Sequence, residues 1–262
     1  MPPSPSTSRP NLVLLCIDDL GAHDLGFTGS TFYETPCIDR LAAEGTVFTN
    51  GYAASCMCSP SRASLLTGCT PPRVGVTNWI GASSAAGPLD SVGFADGLPE
   101  MRTLPAALRD AGYQTWHVGK WHLGSGASQP LERGFDECFG GSNVGGPARY
   151  FPPYLTPGLP RGRSGQHLID RTTDEAIALV RGRRRDRPFF LNLWHFGVHT
   201  PIQAPADLVA KYAEKRQTMG LGSSASGLED IDHASTLGFG RFPEARLMRR
   251  SRTSSTTCSG WR

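Results

Sequence analysis

Short apolar runs separated by polar, turn-forming stretches recur along most of the chain. The segment Leu12–Ile17 is apolar throughout and ends at Asp18, a pattern typical of a strand buried on both faces of a parallel sheet. Three further strands are predicted, at residues 47–53, 113–118 and 189–196.

Helix signals lie between these apolar runs. Thr35 and Pro36 begin a helix that Gly45 ends, because Pro suits the first helical turn and Gly suits the position after the last. Residues 168–180 place apolar side chains on one helical face. Three more helices are predicted, at residues 59–66, 104–111 and 206–215. The alternation of strands and helices predicts an α/β fold in which a mostly parallel sheet is sandwiched by helices.

Composition divides the chain into three parts. We expect residues 1–10, which are rich in Pro and Ser, to form a flexible N-terminus, and residues 11–217 to form one domain. Within that domain, residues 75–99 and 124–165 are rich in turn-forming residues and are predicted to be mostly loop. Residues 218–262 lose the helical pattern and end in an Arg, Ser and Thr-rich stretch, so we expect a disordered or frame-shifted tail.

The positive charge of the chain is concentrated at its end. The formal net charge is +3, but residues 241–262 hold six Arg and one acidic residue, which leaves −2 for residues 1–240. The body of the protein therefore lacks the basic surplus of a nucleic-acid-binding protein. The apolar run at residues 12–17 is too short for a membrane span or a signal peptide. We expect no membrane partner and a cytoplasmic location as encoded, or secretion if the true start lies upstream.

Polar residues follow three of the predicted strands. Asp18 and Asp19 follow the first, Lys120 and His122 follow the third, and His199 follows the fourth. Because the carboxyl ends of parallel strands meet at one sheet edge, we expect these side chains to converge. Two adjacent carboxylates repel each other unless a cation neutralises them, and hard divalent ions prefer such oxygen ligands. A metal site is therefore one interpretation of the Asp pair, and a helix cap or loop is the other.

The seven cysteines are odd in number and irregularly spaced, which argues against a disulfide framework. Cys58 stands out because it lies just before a predicted helix, and a helix N-terminus lowers the pKa of a thiol and attracts anions. Arg62 follows one turn later and can hold an anion with its planar fork of donors. The pair indicates a nucleophile in an anion-binding site, and a buried structural Cys is the alternative interpretation.

The segment at residues 58–68, CSPSRASLLTG, resembles the signature of the sulfatase family, Cys-x-Pro-Ser-Arg followed by a short helix and Thr-Gly. The resemblance implies an alkaline-phosphatase-like fold and the hydrolysis of sulfate esters, and it is nearest to the arylsulfatase type. Four further segments resemble the family in the same order: residues 11–21, 32–50, 119–124 and 197–205.

The resemblance implies a chemical modification and a metal ion. Cys58 would be converted to Cα-formylglycine by a formylglycine-generating enzyme, and would then act as nucleophile and metal ligand together. Asp18 and Asp19 would also ligate the divalent ion, with calcium as the expected ion. The implied substrate is a small-molecule or glycan sulfate ester, and the sequence does not choose between them.

The resemblance also implies roles for four basic residues. Arg62 would hold the formylglycine hydroxyl. Lys120 and His199 would bind the sulfate oxygens and assist the leaving alkoxide, and His122 would take a proton during sulfate release. Such groups stabilise developing charge and transfer protons in hydrolases of many kinds.

The resemblance stops after residue 205. Sulfatases continue to an Asp-Asn-Gly motif that completes the metal site, and no Asp-Asn occurs after His199. The domain therefore looks truncated on its C-terminal side, and we expect the chain as encoded to be inactive, because its two aspartates and residue 58 offer too few oxygens for calcium. The same truncation predicts an uncovered neighbour position beside the strands at residues 12–17 and 189–194.

Two functional alternatives remain open on sequence alone. One is a phosphate or phosphonate ester hydrolase of the same superfamily, since some of these enzymes also use formylglycine. The other is a remnant without catalytic activity that cannot assemble the metal site.

Overall fold

The computed structural model describes residues 9–81, 97–159 and 161–221. They belong to two compact units, one formed by Met1–Asp19 with Tyr52–Gln203 and one formed by Leu20–Gly51 with the residues from Ala204 onward. Most of the expected N-terminal and C-terminal flexible segments therefore lies outside the described residues, as do residues 82–96 of the first predicted loop.

A four-stranded parallel sheet forms the centre of the first unit. Its strands are β1 (Leu12–Ile17), β2 (Gln114–Gly119), β3 (Glu137–Phe139) and β4 (Phe189–His195), in the order β1-β4-β2-β3. Every neighbouring pair is parallel. The prediction of a mostly parallel sheet is confirmed. Strands β2 and β4 are buried along their whole length, and burial of β4 was expected from its apolar run.

One face of the sheet packs against α2 (Cys58–Thr67) and α4 (Leu104–Asp110). Side chains alternate between the two faces of a strand, so this face takes the even-numbered residues of β1 and β4. The resulting core is rich in aromatic rings, which bury large apolar areas. Its members include Leu12, Leu14, Ala63, Leu66, Leu108, Phe190 and Trp194.

The other face packs against α5 (Leu168–Gly182). Its core contains odd-numbered residues of β4, even-numbered residues of β2, and Ala176 of the helix. At the end of β4 the His195 ring lies 3.0 Å from the Thr172 hydroxyl, so a buried polar group of the strand is paired with the helix. Helices therefore cover both faces of the central strands, as predicted.

Strand β1 lies at the edge of the sheet. Val13 and Leu15 lie on the α5 side, yet they are 58% and 47% exposed. Among the described residues, no strand pairs with the outer side of β1, and an uncovered position beside residues 12–17 of the whole chain stays a prediction. The same expectation for residues 189–194 is wrong, because β4 lies between β1 and β2 and is hydrogen-bonded on both sides.

One assignment from the sequence is wrong, and one short strand was not predicted. Residues 47–53 do not form a strand, and Phe48 and Tyr52 are 81% and 88% exposed. An apolar run forms a strand only when another strand supplies the ladder and a packed face, and within the described ranges this run has neither. Conversely, β3 lies inside the segment predicted to be loop. It has three residues and pairs with Trp116–Val118, so it is too short to produce a recognisable pattern.

The remaining helices are α1 (Pro36–Glu44), α3 (Pro71–Val74) and α6 (Ala206–Thr218), with short 3-10 turns at Gly26–Thr28, Gly126–Ser128 and Pro130–Arg133. Of these helices, α1 and α6 agree with the sequence patterns, and the short α3 was not predicted. In the second unit, the Glu34 carboxylate accepts hydrogen bonds from Lys211 and Lys215 of α6 at 2.5 and 2.9 Å. Within the described ranges, no helix combines the length and the apolar character that crossing a bilayer requires.

A buried polar pair lies within the aromatic core. The Nδ1 atom of His117 accepts a hydrogen bond from the Asn192 amide at 2.9 Å, and aromatic rings surround the imidazole. Burial, with a smaller contribution from the nearby Arg62 charge, lowers the pKa of His117 to about 3. The ring is therefore neutral in the folded protein at neutral pH.

Replacing His117 by Gln should reduce the acid sensitivity of the fold. The pKa of His117 falls from 6.5 to about 3 on folding, so between these values the unfolded chain holds a proton that the folded chain lacks. The stability from neutral His117 is complete above pH 6.5 and is lost as the pH falls. In this window we expect the free energy of unfolding of His117→Gln to fall by about 1.4 kcal/mol less per pH unit than that of the wild type.

Urea unfolding at a series of pH values between about 7 and about 5 measures this difference. The exposed His23 supplies the matched control, because His23→Gln should follow the wild-type curve. Parallel curves for His117→Gln and the wild type would show that His117 is not the buried proton-linked group.

Candidate functional site

The carboxyl ends of three neighbouring strands bring the polar residues together. Asp18 follows β1, Lys120 follows β2, and His199 lies four residues beyond β4. The Asp18 amide donates to the Gly197 carbonyl at 2.9 Å, and the Val198 amide donates back to the Asp18 carbonyl at 2.6 Å. The backbone after β1 is thereby fixed against the backbone after β4, and the predicted convergence is observed.

Asp18 lies between two buried cations. One carboxylate oxygen accepts a hydrogen bond from Arg62 at 3.1 Å, and the other accepts a very short one from Lys120. Arg62 is 2% exposed, Lys120 is 0% exposed and Asp18 is 6% exposed. One carboxylate thus compensates two desolvated positive charges, which leaves a net positive site well suited to an anion.

The Arg62 guanidinium is held on a second side by an aromatic ring. Its central carbon lies 4.7 Å from the centre of the Trp194 ring, a cation–π contact in the interior. The Lys120 amide donates to the Trp194 carbonyl at 2.8 Å. Gly119 permits this approach, because it has a φ of 103° and a Cβ there would lie 1.9 Å from that carbonyl oxygen. One residue of β4 therefore positions both cations.

Cys58 is the first residue of α2, and its thiol lies beside His122. The distance from Sγ to the His122 Nδ1 atom is 3.1 Å. The other ring nitrogen lies 2.9 Å from the Ile80 carbonyl oxygen. Both nitrogens are thus engaged, and the ring has a single orientation relative to the thiol.

Ser59 completes the frame around His122. Its hydroxyl donates to the His122 carbonyl at 2.8 Å and accepts from the Ile80 amide at 3.0 Å. Burial lowers the pKa of His122 to about 4, with smaller contributions from the positive charges of Lys120 and Arg62. The imidazole is therefore neutral at neutral pH and able to accept a proton.

Asp19 and His199 lie on the more exposed side of the site. Asp19 has a φ of 57°, and its side chain is 58% exposed. The His199 Nε2 atom lies 3.8 Å from an Asp19 carboxylate oxygen. Ligand atoms of Asp18, Asp19 and His199 all lie within 4.8 Å of one another, so these three residues could hold a metal ion.

The donors fit a hard divalent ion in part. Two carboxylates supply oxygen ligands, and each carboxylate oxygen has more than one lone pair, so Asp18 can bind a cation while still accepting from Arg62 and Lys120. Calcium takes roughly 6–8 oxygen ligands, so further donors would be required. Among the described residues, this acidic group contains His199 rather than the Cys58 thiol, which contacts His122 instead.

Two supporting residues carry no distinctive sequence signal. Tyr150 lies in a segment predicted to be loop, yet its hydroxyl lies 2.7 Å from the carbonyl oxygens of both Phe196 and His199. Trp194 is one of several apolar residues in β4, and its contact with Arg62 depends on the pairing of β2 with β4. Both roles arise from the fold and could not be recognised from spacing along the chain.

With the geometry in place, comparison with known proteins assigns the family. The sequence profile of the family described as Sulfatase matches residues 10–235. The match extends over most of the chain and includes every site residue above, and the chain belongs to the sulfatase family. The resemblance carried by residues 58–68 is thereby confirmed.

Individual relatives agree with this assignment. N-acetylgalactosamine-6-sulfatase of Homo sapiens is 38% identical over 219 residues, which cover 74% of this chain and 40% of the relative. Arylsulfatase G of Canis lupus familiaris is 37% identical over 227 residues, which cover 84% and 38%. The crystal structure of Ps i-CgsB in complex with k-i-k-neocarrahexaose has a TM-score of 0.66 at 31% identity and covers 79% of this chain and 49% of that chain. The chain thus spans about two fifths of the length of these curated relatives.

Proposed function

We propose that this chain is the nucleophile-bearing part of an enzyme that hydrolyses sulfate esters. The observation that carries the proposal is the buried cluster at the sheet edge, in which Asp18 compensates Arg62 and Lys120 while Cys58 contacts His122. The cluster combines a nucleophile position, a neutral imidazole and a net positive charge. These are the groups needed to bind a sulfate ester and to move a proton during its cleavage.

Residue 58 would act as Cα-formylglycine, made from Cys58 by a formylglycine-generating enzyme. The modification would supply a hydroxyl nucleophile and a metal ligand at the N-terminus of α2. Asp18 and Asp19 would hold the divalent ion, with calcium as the proposed ion because both supply oxygen ligands. The ion would contribute positive charge where the ester oxygens become more negative.

The remaining residues act through their own contacts. The Arg62 fork is fixed by Asp18 and Trp194, so it can hold a hydroxyl at residue 58 in one orientation. The Lys120 ammonium brings a desolvated charge to the sulfate oxygens. His122 accepts a proton at Nδ1, the atom that faces residue 58. His199, at the exposed side of the site, is placed to contact the sulfate and the leaving oxygen.

For the substrate, we propose a sulfated sugar. Support comes from the names of the relatives, which include an N-acetylgalactosamine-6-sulfatase and a protein in complex with k-i-k-neocarrahexaose. The site adds one physical feature: the Trp79 ring lies 6.4 Å from the His122 ring and is 42% exposed. A partly exposed aromatic ring beside the reacting groups offers an apolar surface on which a sugar ring can pack.

Co-expression with a formylglycine-generating enzyme should convert Cys58 alone. Peptide mass spectrometry should show loss of sulfur at Cys58 and an aldehyde that reacts with a hydrazide. Cys56 is the matched internal control, because it lies two residues away and is exposed but lacks the Pro and Arg that follow Cys58. Unmodified Cys58, under conditions that convert a known sulfatase, would refute the assignment of the nucleophile.

In an in-frame longer form of the chain that supplies the remaining metal ligands, the converted protein should then release sulfate from a chromogenic aryl sulfate and from N-acetylgalactosamine 6-sulfate, and calcium should increase the rate. The corresponding aryl phosphate and phosphonate esters test the alternative reaction class. Faster turnover of these esters than of the sulfates would replace the proposed reaction with phosphate or phosphonate ester hydrolysis.

A further inference from the structure

The segment of residues 140–150 connects the parts of the chain that carry His122 and His199. Near its start, the Ser142 carbonyl accepts a hydrogen bond from the His122 amide at 3.2 Å, and the Asn143 side chain accepts one from the Gly124 amide at 2.9 Å. These bonds attach the segment to the backbone on which His122 is carried.

The other end of the segment is attached to the His199 region. The Tyr150 hydroxyl contacts the Phe196 and His199 carbonyl oxygens, each at 2.7 Å. The Tyr150 amide also donates to the Gln203 side chain at 2.8 Å. The segment is therefore fixed at both ends to the two histidine-bearing regions, so the position of its middle is determined.

At that middle, Gly145 lies against the His122 ring. A Cβ on Gly145 would lie 2.7 Å from the ring atom Cε1 and 3.1 and 3.2 Å from the two ring nitrogens. The ring cannot move away freely, because its nitrogens are engaged by Cys58 and by the Ile80 carbonyl. A side chain at residue 145 would therefore disturb the contact between His122 and residue 58.

Gly146 lies against the His199 ring in the same way. A Cβ there would lie 3.0 and 3.1 Å from ring atoms Nδ1 and Cε1, and 3.2 Å from the Thr200 carbonyl oxygen. This contact is looser than the one at Gly145, and His199 is also more exposed. Neither glycine has a left-handed φ, so any residue could adopt the backbone conformation. Glycine is needed at both positions because the two histidine rings occupy the space that a side chain would fill.

We propose that Gly145 and Gly146 are positioning residues that set the places of the His122 and His199 rings, with residues 140–150 acting as a clamp between them. The catalytic meaning of the clamp rests on the proposed function, in which His122 moves a proton at residue 58 and His199 contacts the sulfate. A ring displaced by about 1 Å is enough to cost about 100-fold in rate. We therefore expect Gly145→Ala to lower kcat by about 10-fold to 100-fold with little change in KM, and Gly146→Ala to have a smaller effect.

The direct test is the NMR spectrum of the histidine ring nitrogens in protein labelled at histidine, recorded without substrate. Gly145→Ala should shift the His122 signals and leave those of His199 nearly unchanged, and Gly146→Ala should do the reverse. The matched control is Gly182→Ala, because a Cβ at Gly182 meets nothing within 4 Å and its φ is ordinary. Gly182→Ala should leave both sets of signals in place.

Tyr150→Phe provides a second variant that keeps the ring and removes only the hydroxyl bonded to the His199 region. It should shift the His199 signals and not those of His122, and it keeps the proposal testable if Gly145→Ala fails to fold. The clamp is refuted if Gly145→Ala moves the His122 signals no more than Gly182→Ala does, or if Tyr150→Phe leaves the His199 signals in place. Because the ring signals need no turnover, absence of sulfate release from the wild type would count against the proposed function alone.

Discussion

Replacing Asp18 by Asn should lower the free energy of unfolding by about 3–5 kcal/mol. The side chain keeps its size, but the carboxylate that compensates Arg62 and Lys120 is lost. Both cations are almost fully buried, so neither can recover its hydration without local unfolding. The Asn side chain would also have to turn its NH2 group, which carries partial positive charge, toward one of the two cations. The measurement is urea unfolding of both proteins in the presence of a chelator, so that no divalent ion contributes to stability.

Asp186 provides the matched carboxylate for this experiment. It forms an ion pair with Arg184 at 2.8 Å, but the two side chains are 62% and 65% exposed. Solvent screens exposed pairs strongly, so Asp186→Asn should scarcely change the unfolding midpoint. Equal effects of Asp18→Asn and Asp186→Asn on the unfolding midpoint would show that the Asp18 carboxylate does not stabilise the fold by compensating Arg62 and Lys120.

Replacing Arg62 by Lys should be as damaging to turnover as replacing it by Ala, with a loss of about 100-fold to 1,000-fold in kcat. A Lys keeps the charge but cannot reproduce the planar fork. In the structure the fork donates to Asp18 at 3.1 Å and to the Lys120 carbonyl at 3.4 Å, while its face lies on Trp194. A single ammonium group cannot make these three contacts together. The measurement is the rate of aryl sulfate hydrolysis by the formylglycine form.

Arg102 is the control for the Arg62 substitution. It pairs with Asp110 at 3.2 Å, and both side chains are largely exposed, so Arg102→Lys should leave turnover and stability unchanged. Unfolding curves of the Arg62 variants separate a lost role in catalysis from a lost fold. Near-normal turnover by Arg62→Lys would show that positive charge alone suffices at residue 62 and that the fork geometry is not used.

The residues of the site could be named from the sequence because each lies in a short, dense pattern. Cys58 and Arg62 occupy one helical turn, so their proximity follows from local geometry. Asp18 follows the apolar run Leu12–Ile17, and Lys120 follows a segment between turn signals that was also predicted to be a strand. Parallel strands present their carboxyl ends at one edge, and that rule alone predicted the convergence of these residues.

Other features depend on partners far away in the chain and had no local signal. The strand predicted at residues 47–53 is absent because a strand is stabilised by its neighbours, and no neighbour pairs with it in the described part of the chain. Strand β3 forms because the end of β2 offers a free ladder, although its three residues show no pattern of their own. In both cases the decisive interactions lie outside the segment.

The sequence by itself determined the order of the main strands and helices along the chain, the place of Cys58 at the start of a helix, and the set of charged residues expected near it. Those properties depend on periodicity and on neighbours within a few residues. The tertiary structure decided which partners these residues have: Asp18 shared by Arg62 and Lys120, and the stacking of Arg62 on Trp194. Contacts of this kind join strands and loops that are distant in sequence, and they are fixed by strand order, register and the space between side chains, none of which a linear pattern records.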